Sequence, residues 1–228
     1  MTAALDEGAV DLINLPTLDF LSIRDRYALE PALVGVYDDG HPSERFVLVV
    51  HGRSGFVDLA DLKGVDLLVG IAGDERIWLL WLDVLLARQG RPESGDHFRR
   101  HSVETASAAL LPVFFGQKEI CVVDERAFET MAELNPQIGQ QLVIMATSPD
   151  LLTGLLAISP SSSPGVRRLT VSSGTAMHEK TQGQHILELF GMQRVVPFKP
   201  EYLDSVVSLV EEHEQTAVGS GDALRKGP

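Results

Sequence analysis

The segment Gly73-Asp74-Glu75-Arg76 precedes an apolar stretch around Trp78, and its residue types suit both a helix start and an anion site. Asp74 is an N-cap residue by type and position. Alternatively, the free N–H groups of this helix start bind an anionic ligand, and Gly73, Asp74 and Arg76 surround it. A carboxylate at the cap competes with an anion, and Arg76 would offset that charge. Both interpretations place a helix start here.

A second polar segment, His101-Ser102-Val103-Glu104-Thr105, precedes another apolar stretch. Ser102 suits an N-cap, with Thr105 three residues further on. Alternatively, the Ser102 and Thr105 hydroxyls and the helix N–H groups bind a phosphate-like group. His101 either adds a donor whose charge changes near neutral pH or is a surface histidine without a ligand. The segment therefore predicts a helix start, and the binding of an oxyanion there is the alternative to simple capping.

Asp124 and Glu125 directly follow four apolar residues of a predicted strand, where a charge has no core role. They either cap the next helix or hold a cationic part of a ligand, such as an amine.

An internal repeat relates this region to the start of the chain. Gly8-x-x-Asp11-Leu-Ile-Asn14-Leu15, with Phe20 beyond it, matches Gly116-x-x-Glu119-Ile-Cys-Val122-Val123, with Phe128 beyond it, at an offset of about 108 residues. Each half reads as helix, glycine stop, strand and helix start, which predicts a duplicated lobe. Loops after parallel strands line ligand crevices. Asn14 and Thr17 would then offer neutral hydrogen bonds opposite Asp124 and Glu125, and Tyr37, ending a predicted strand, would add a wall or a hydroxyl.

Composition excludes several classes of function. The 228 residues include 32 acidic and 19 basic side chains, for a net charge of −13, which disfavours nucleic acid and anionic lipid as partners. The apolar stretches are too short to span a bilayer, and the first residues show no export signal. Cys121 is the single cysteine, so no internal disulfide forms. Metal-ligand spacings, glycine-rich phosphate loops and Ser-His-Asp arrangements are missing, so we expect no metal and no cofactor.

Turn residues divide the chain into short strands alternating with amphipathic helices, which predicts an α/β fold with mostly parallel sheets. The predicted strands are residues 10–15, 33–37, 46–50, 66–70, 120–123, 142–146 and 155–159. The predicted helices are residues 18–26, the stretch from Trp78 to a stop at Gly90, and residues 104–115, 126–134, 178–190 and 201–212. We expect a flexible loop at 161–165 and a disordered tail over 216–228.

Several motifs in order resemble one family. Asp58-Leu-Ala-Asp-Leu-Lys-Gly64 before a strand resembles the entry into the second lobe of type II periplasmic solute-binding proteins. The runs Leu110–Gly116, Cys121–Asp124, Phe128–Pro136 and Val196-Pro-Phe-Lys-Pro-Glu-Tyr-Leu-Asp204 resemble its phosphate, phosphite and phosphonate-binding branch. The resemblance covers residues 5–212 and implies a two-lobe fold, a small-molecule solute, a periplasmic location and a membrane permease as partner.

The sequence departs from this family twice. The family begins with a signal peptide and a first strand-helix unit of lobe one, about sixty residues without counterpart here, and we expect the loss to expose a strand edge and apolar surface. Phosphonate binders also present small hydroxyl residues where this chain has Ile71-Ala-Gly-Asp74-Glu75-Arg76. That difference argues against phosphonate itself as the ligand.

The predicted mechanism is capture of a small polar or anionic solute between two lobes. Residues 46–50 and 142–146 are predicted to be the two strands that join them. Lobe one is then residues 1–50 with 147–215, still incomplete, and lobe two is residues 51–146. Loops at 14–17, 71–76, 101–105 and 124–125 would line the cleft, and closure would bring both lobes onto the solute.

Two other functions use the same fold. An enzyme acting on a small metabolite would need a cleft residue with a strongly shifted pKa, for which Asp124, Glu125 and His101 are the candidates. A ligand-sensing module of a signalling protein would suit a chain without an export signal. A non-catalytic binding protein is the interpretation that we carry forward.

Overall fold

The computed structural model describes residues 5–37, 40–71 and 73–223, with the side chains of 217–223 excepted. Within this part the chain divides into two compact units. Unit 1 comprises the described residues up to Ser43 together with Leu151–Asp204, and unit 2 comprises Glu44–Asp150 together with the chain from Ser205 onward.

Strands and helices alternate along the chain. In chain order the strands are β1 Leu12–Pro16, β2 Glu30–Val36, β3 Phe46–His51, β4 Asp66–Gly70, β5 Arg99–Ser102, β6 Ile120–Asp124, β7 Leu142–Thr147, β8 Gly154–Ile158 and β9 Arg194–Pro197. The α-helices are α1 Thr17–Tyr27, α2 Glu75–Ala87, α3 Ser94–His97, α4 Ala106–Phe114, α5 Glu125–Leu134, α6 Pro136–Gln141, α7 Pro164–Thr175, α8 Thr181–Leu189 and α9 Asp204–Ala223. Short 3-10 turns occupy Leu59–Leu62, Met177–Glu179 and Pro200–Leu203.

The sheet of unit 1 has the strand order β1-β8-β2-β9, and every neighbouring pair in it is antiparallel. Its buried side chains include Leu15 on β1, Leu33 on β2 and Leu155 on β8, and Phe20 of α1 is buried as well. Among the described residues β1 has a partner on one side only, and Leu12 at its start keeps 39% of its surface exposed. An unpaired strand edge with an apolar side chain is therefore a feature of unit 1.

The sheet of unit 2 has the order β5-β4-β6-β3-β7. The pairs β4–β5 and β4–β6 are parallel, whereas β3 pairs antiparallel with both β6 and β7. Val47, Val49, Cys121 and Val123 face a core closed by α4, α5 and α6. Burial raises the pKa of the Cys121 thiol to about 12, as suits a small core residue. Trp78 and Trp81 of α2 are also buried.

The prediction of an α/β fold is confirmed, but the prediction of mostly parallel sheets is wrong. β1 and β2 do run in the same direction, because both are antiparallel to β8. β8, from the second half of the chain, lies between them. In unit 2, β3 is inserted in the same way between β6 and β7. Two strands joined by a helix usually run in the same direction, and the alternation of strands and helices in a sequence indicates this. The alternation does not indicate whether an antiparallel strand from another part of the chain lies between the two.

The bounds of the two units differ from those predicted for the lobes. The chain passes from one unit to the other at Ser43/Glu44 and Asp150/Leu151. The two strands expected to join the lobes pair with each other, from Val47 opposite Thr147 to His51 opposite Leu142, within the sheet of unit 2.

The C-terminal region corrects a further prediction. α9 runs from Asp204 to Ala223, so residues 216–223, expected to be a disordered tail, are helical, and residues 224–228 lie outside the described part. Val206 and Leu209 are buried, and Glu212 accepts two hydrogen bonds from Arg88 at 2.7 and 2.8 Å. Low apolar content does not end a helix whose first turns are packed and whose sequence holds no proline.

Gly70, the last residue of β4, decides how closely α4 approaches the sheet. A Cβ atom on Gly70 would lie 2.7 Å from the Thr105 carbonyl oxygen, 2.8 Å from Ala109 Cβ and 2.9 Å from Ala106 Cα. Two of these atoms belong to the main chain, which cannot give way as a flexible side chain would. The absence of a side chain at Gly70 therefore sets the position of the start of α4.

We predict that Gly70→Ala lowers the free energy of unfolding by about 1–3 kcal/mol, the usual range for overpacking. Urea denaturation followed by circular dichroism measures this. Gly95→Ala is the matched control, because a Cβ there would meet only the Arg100 side chain, at 4.0 Å. Equal stability of the two variants would contradict the prediction.

Candidate functional site

One edge of the unit 2 sheet brings together three helix starts. The parallel strands β5, β4 and β6 end there at Ser102, Gly70 and Asp124, as the pairing of Val69 with Ser102 and of Gly70 with Val123 requires. α4, α2 and α5 follow these three strand ends. Ligands of α/β proteins bind at the carboxyl ends of parallel strands, and helix starts there offer free N–H groups. We call this edge the carboxyl edge of unit 2.

Two antiparallel strands complete the carboxyl edge. Phe46, at the start of β3, lies opposite Asp124, and its carbonyl accepts a hydrogen bond from Ser148 N at 2.8 Å. The chain thus enters unit 2 just before Phe46 and leaves it just after Ser148, both at this edge.

The start of α2 is occupied by its own side chains. Asp74 caps the helix by accepting from Arg76 N at 3.1 Å, which confirms the capping interpretation. The Arg76 guanidinium also donates to both oxygens of that carboxylate, at 2.8 and 2.6 Å. These hydrogen bonds hold the pKa of Asp74 below its usual value. Gly73 precedes the cap with φ of +94°, a conformation that glycine adopts readily. The charged groups of Asp74 and Arg76, two of the predicted site residues, are therefore hydrogen-bonded to each other.

The start of α4 differs, because its cap is a hydroxyl. Thr105 accepts from Ala108 N at 3.1 Å, so Thr105 is the N-cap and the prediction of Ser102 as the cap is wrong. Ser102 still belongs to β5, since Val103 N continues the sheet pairing by donating to the Val69 carbonyl at 2.9 Å. The Ser107 hydroxyl lies 3.0 Å from that of Thr105, and the first turn of α4 carries no acidic residue.

His101 lies on β5 and contacts a carboxylate at the other end of β4. Its Nε2 is 3.4 Å from Asp66 Oδ1. Asp66, the first residue of β4, also accepts from Lys118 Nζ at 2.9 Å and from Arg99 Nε at 2.7 Å. Lys118 and then Arg99 hold the pKa of Asp66 well below its usual range. His101 is therefore part of an ion cluster, and it does not accompany Thr105 at the helix start.

The start of α5 carries two carboxylates with different partners. Asp124 accepts from Ala127 N at 2.9 Å and is the N-cap, which confirms that interpretation. Glu125 pairs with Arg45 Nε at 2.5 Å, and its own N–H donates to the Arg45 carbonyl at 2.8 Å. Arg45 also lies 3.7 Å from Asp150. Arg45 therefore joins both chain crossings of unit 2 to the start of α5.

The predicted site residues of unit 1 lie on β1, α1 and the end of β2. Asn14 was expected near the end of its strand, but it is an exposed residue in the middle of β1, opposite Leu156. Thr17 begins α1 and is fully buried, and its Oγ1 has no hydrogen-bond partner among the described residues. Tyr37 directly follows β2, and its N–H donates to the His41 carbonyl at 3.0 Å.

Two residues of the carboxyl edge were missed by sequence reasoning. Ser107 stands two residues after the cap Thr105, and a hydroxyl in the first turn of a helix was the available signal. Arg45 left no local signal, because its partner Glu125 is distant in the sequence and adjacent only through the pairing of β3 with β6.

Other kinds of site find no support in the part of the chain that the structure describes. There, no group of three or more His, Cys, Asp or Glu residues could hold a metal ion. Within residues 5–37, 40–71 and 73–223, no helix combines the length and apolar character that a membrane crossing requires.

We predict that Asp66→Asn lowers the melting temperature at neutral pH and that the difference from wild type narrows as the pH falls from about 4 toward 2. A depressed pKa means that the ionised carboxylate adds stability above its unfolded-state pKa, and this stability is lost as the pH falls through the folded-state value. Calorimetry across this range measures it. Asp96→Asn, an exposed change of equal charge on α3, is the control. A difference in melting temperature between wild type and Asp66→Asn that does not change with pH would contradict a stabilising role of the ionised Asp66 carboxylate.

Comparison with known proteins identifies the family. A family model described as the periplasmic substrate-binding protein of phosphonate ABC transporters matches residues 1–203. Among solved structures, a binding protein component of an ABC phosphonate transporter from Pseudomonas aeruginosa is similar with a TM-score of 0.66 and 14% identity, over 95% of this chain and 73% of that one.

Two further structures are similar. A Xanthomonas citri protein bound to ATP has a TM-score of 0.66 and 13% identity, over 95% of this chain and 82% of that one. A Prochlorococcus marinus protein in complex with methylphosphonate has a TM-score of 0.61 and 13% identity, over 92% and 80%. At these identities the likeness shows the fold, which is the predicted periplasmic-binding-protein class. Because the family model covers most of its length, the chain belongs to the phosphonate family of periplasmic substrate-binding proteins, the solute-binding components of ABC uptake systems.

Proposed function

We propose that this chain captures a small solute bearing a phosphate- or phosphonate-like oxyanion, and that the anion binds at the start of α4. The observation that supports this most is a difference between the three helix starts of the carboxyl edge. α2 and α5 have aspartate caps and a glutamate in the first turn, whereas α4 has a threonine cap and no acidic residue there. Free N–H groups and the helix dipole favour an anion where the first turn holds no carboxylate. Glu104 directly precedes the cap of α4, but it is exposed to solvent.

Hydroxyls at the start of α4 strengthen this choice. Thr105 and Ser107 lie within hydrogen-bond distance of each other, and Ser102 ends the neighbouring strand β5. Serine and threonine hydroxyls donate to oxyanions without carrying charge. The hydroxyls that the sequence lacks at 71–76 are thus available on another helix of the same edge, which restores a phosphonate-like group as the ligand class.

The nearby carboxylates suit a cationic part of the same solute. Arg76 already pairs with Asp74, and Arg45 with Glu125, so these acids add little net repulsion. Asp124 is half-buried at the end of β6. An amine group on the solute would be attracted to Asp124, and we therefore favour an aminoalkylphosphonate over inorganic phosphate.

The ligands of two relatives are consistent with this class. The Prochlorococcus protein is in complex with methylphosphonate, and the Xanthomonas protein is bound to ATP. Both molecules present phosphorus oxyanions.

We also infer a role for the predicted residues of unit 1 and for the chain crossings. Asn14, Thr17 and Tyr37, all in the predicted lobe one, would supply hydrogen bonds to the same solute. The pivots would lie at residues 43–45 and 148–151, where Arg45 bonds to Glu125. Closure by hinge motion is stabilised when a ligand contacts both lobes.

Substrate-binding proteins of this family serve transport, so we propose that the chain performs no catalysis and needs no cofactor. It would act in the periplasm and deliver its solute to a membrane permease without entering the membrane itself. The net charge of −13 supports the absence of nucleic acid among its partners.

We predict that 2-aminoethylphosphonate binds more tightly than phosphate and that Ser107→Ala weakens it about tenfold, the effect of one hydrogen bond to a charged group. Isothermal titration calorimetry measures both. Ser173→Ala, a change of equal size at an exposed position on α7, is the control.

Thr105→Ser keeps the capping hydroxyl and should retain binding. Two results would refute the proposal: no heat of binding with phosphate, methylphosphonate or 2-aminoethylphosphonate, or equal affinities of the Ser107→Ala and Ser173→Ala proteins. A thermal-shift series with the same solutes gives an independent check, because a ligand that binds only the folded state raises the melting temperature.

A further inference from the structure

A pocket lies at the edge of the unit 2 sheet opposite the carboxyl edge. It has a volume of about 360 Å³. It opens between His51, the last residue of β3, and the turn that joins α4 to β6, where Gly116 and Lys118 lie. The pairing of Val50 with Ile120 places the end of β3 beside the start of β6. The full length of β6 therefore separates this pocket from Asp124, and we call it the distal pocket.

Phenylalanines form the apolar wall of the distal pocket. Phe56, Phe114 and Phe115 line it, and the last two rings meet edge to face with centroids 5.1 Å apart. Phe115 keeps 66% of its surface exposed. Exposed aromatic rings beside a concavity of this size mark ligand sites, and a flat ring stacks well against them.

Arg53 provides the uncompensated positive charge of the distal pocket. No hydrogen bond or ion pair joins its guanidinium to any residue that the structure describes. Lys118, in contrast, is paired with Asp66, which Arg99 also holds. Glu119 lines the pocket as well, but its exposed carboxylate stays hydrated without a partner. A guanidinium matches the geometry of a carboxylate with two parallel hydrogen bonds.

His51 offers a second hydrogen-bond donor, and a main-chain contact fixes which of its ring nitrogens carries the proton in the neutral form. The Arg53 main-chain N–H donates to His51 Nδ1 at 3.0 Å. In the neutral imidazole Nδ1 is then the acceptor, and Nε2 carries the proton. Nε2–H is therefore available as a neutral donor in the same pocket as the Arg53 side chain.

We infer that the distal pocket binds a small aromatic carboxylate, with its ring against Phe114 and Phe115 and its carboxylate on Arg53 and the His51 Nε2–H. A phosphonate dianion fits less well there than a carboxylate monoanion, because the last residues of α4 line the pocket and the negative end of a helix dipole repels a double charge more strongly than a single one. The same helix thus presents its positive end to the proposed solute site and its negative end to the distal pocket.

Titration of 4-fluorobenzoate into the full 228-residue chain, followed by fluorine NMR, tests this inference. We expect saturable millimolar binding, with 4-fluorobenzyl alcohol and 4-fluorobenzylamine, which lack the negative charge, binding at least about tenfold more weakly. Arg53→Gln should weaken 4-fluorobenzoate by a similar factor. Arg100→Gln, at an exposed position on β5 outside the pocket, is the matched control and should not.

Phe115→Ala separates the contribution of the ring from that of the charge, and should weaken 4-fluorobenzoate and 4-fluorobenzyl alcohol alike. The inference is overturned if 4-fluorobenzoate fails to bind, if the amine or the alcohol equals it, or if Arg53→Gln and Arg100→Gln behave identically. Displacement of 4-fluorobenzoate by methylphosphonate would also overturn it, because the probe would then occupy the solute site. Binding of 4-fluorobenzoate that survives Ser107→Ala keeps the two sites independent.

Discussion

The contact between Gly70 and the start of α4 is the constraint on which the carboxyl edge depends. The Thr105 carbonyl and the Ala106 Cα lie where a side chain of residue 70 would stand. This approach holds the first N–H groups of α4 directly above the end of β4, between the ends of β5 and β6. Because the strands on both sides are pinned by sheet hydrogen bonds, the three helix starts share one fixed edge.

Charge is distributed unevenly over that edge. A chain with net charge −13 would repel an oxyanion at long range, so capture requires a local region that is not acidic. Arg76 and Arg45 each neutralise a carboxylate of a neighbouring helix start, and α4 carries none in its first turn. In the proposed site, short-range hydrogen bonds from N–H and hydroxyl groups would then decide the affinity for the anion, since screening by salt removes much of the long-range field.

Buried strands were the elements that the sequence predicted best. β3, β4 and β6 were located to within one residue, because strands covered on both faces read as continuous apolar runs. β5 was missed, since Arg99–Ser102 is polar and exposed throughout and is a strand only by its pairing with β4. α7 was missed for a related reason, because Gly174 is its one fully buried residue. Its residues follow no apolar period that could have announced a helix.

The site was predictable where a residue acts on its own neighbours, and not where it acts across the sheet. Asp74 and Asp124 were recognised as caps because capping is local. The contact of His101 with Asp66 follows from the parallel register of β4 and β5, and the contact of Arg45 with Glu125 from the antiparallel register of β3 and β6. The spacing of residues along the chain does not indicate how two strands are aligned in a sheet, so neither contact could be predicted from the sequence.

The internal repeat gains meaning from these registers. With an offset of 108 residues, β1 falls on β6 and the first residue of α1 falls on that of α5. β8 then corresponds to β3, since each is the antiparallel neighbour of the repeated strand. On the other side β6 pairs with β4, whereas β1 has no strand there among the described residues.

The chemistry of the two strand ends has diverged, although the backbone has not. Asp124 and Glu125 correspond to Pro16 and Thr17, so one unit presents carboxylates where the other presents a proline and a buried hydroxyl. Asn14 corresponds to Val122, which explains why its side chain lies in the middle of a strand. The repeat thus places equivalent backbone positions in the two units, and the residues at those positions differ in charge and polarity.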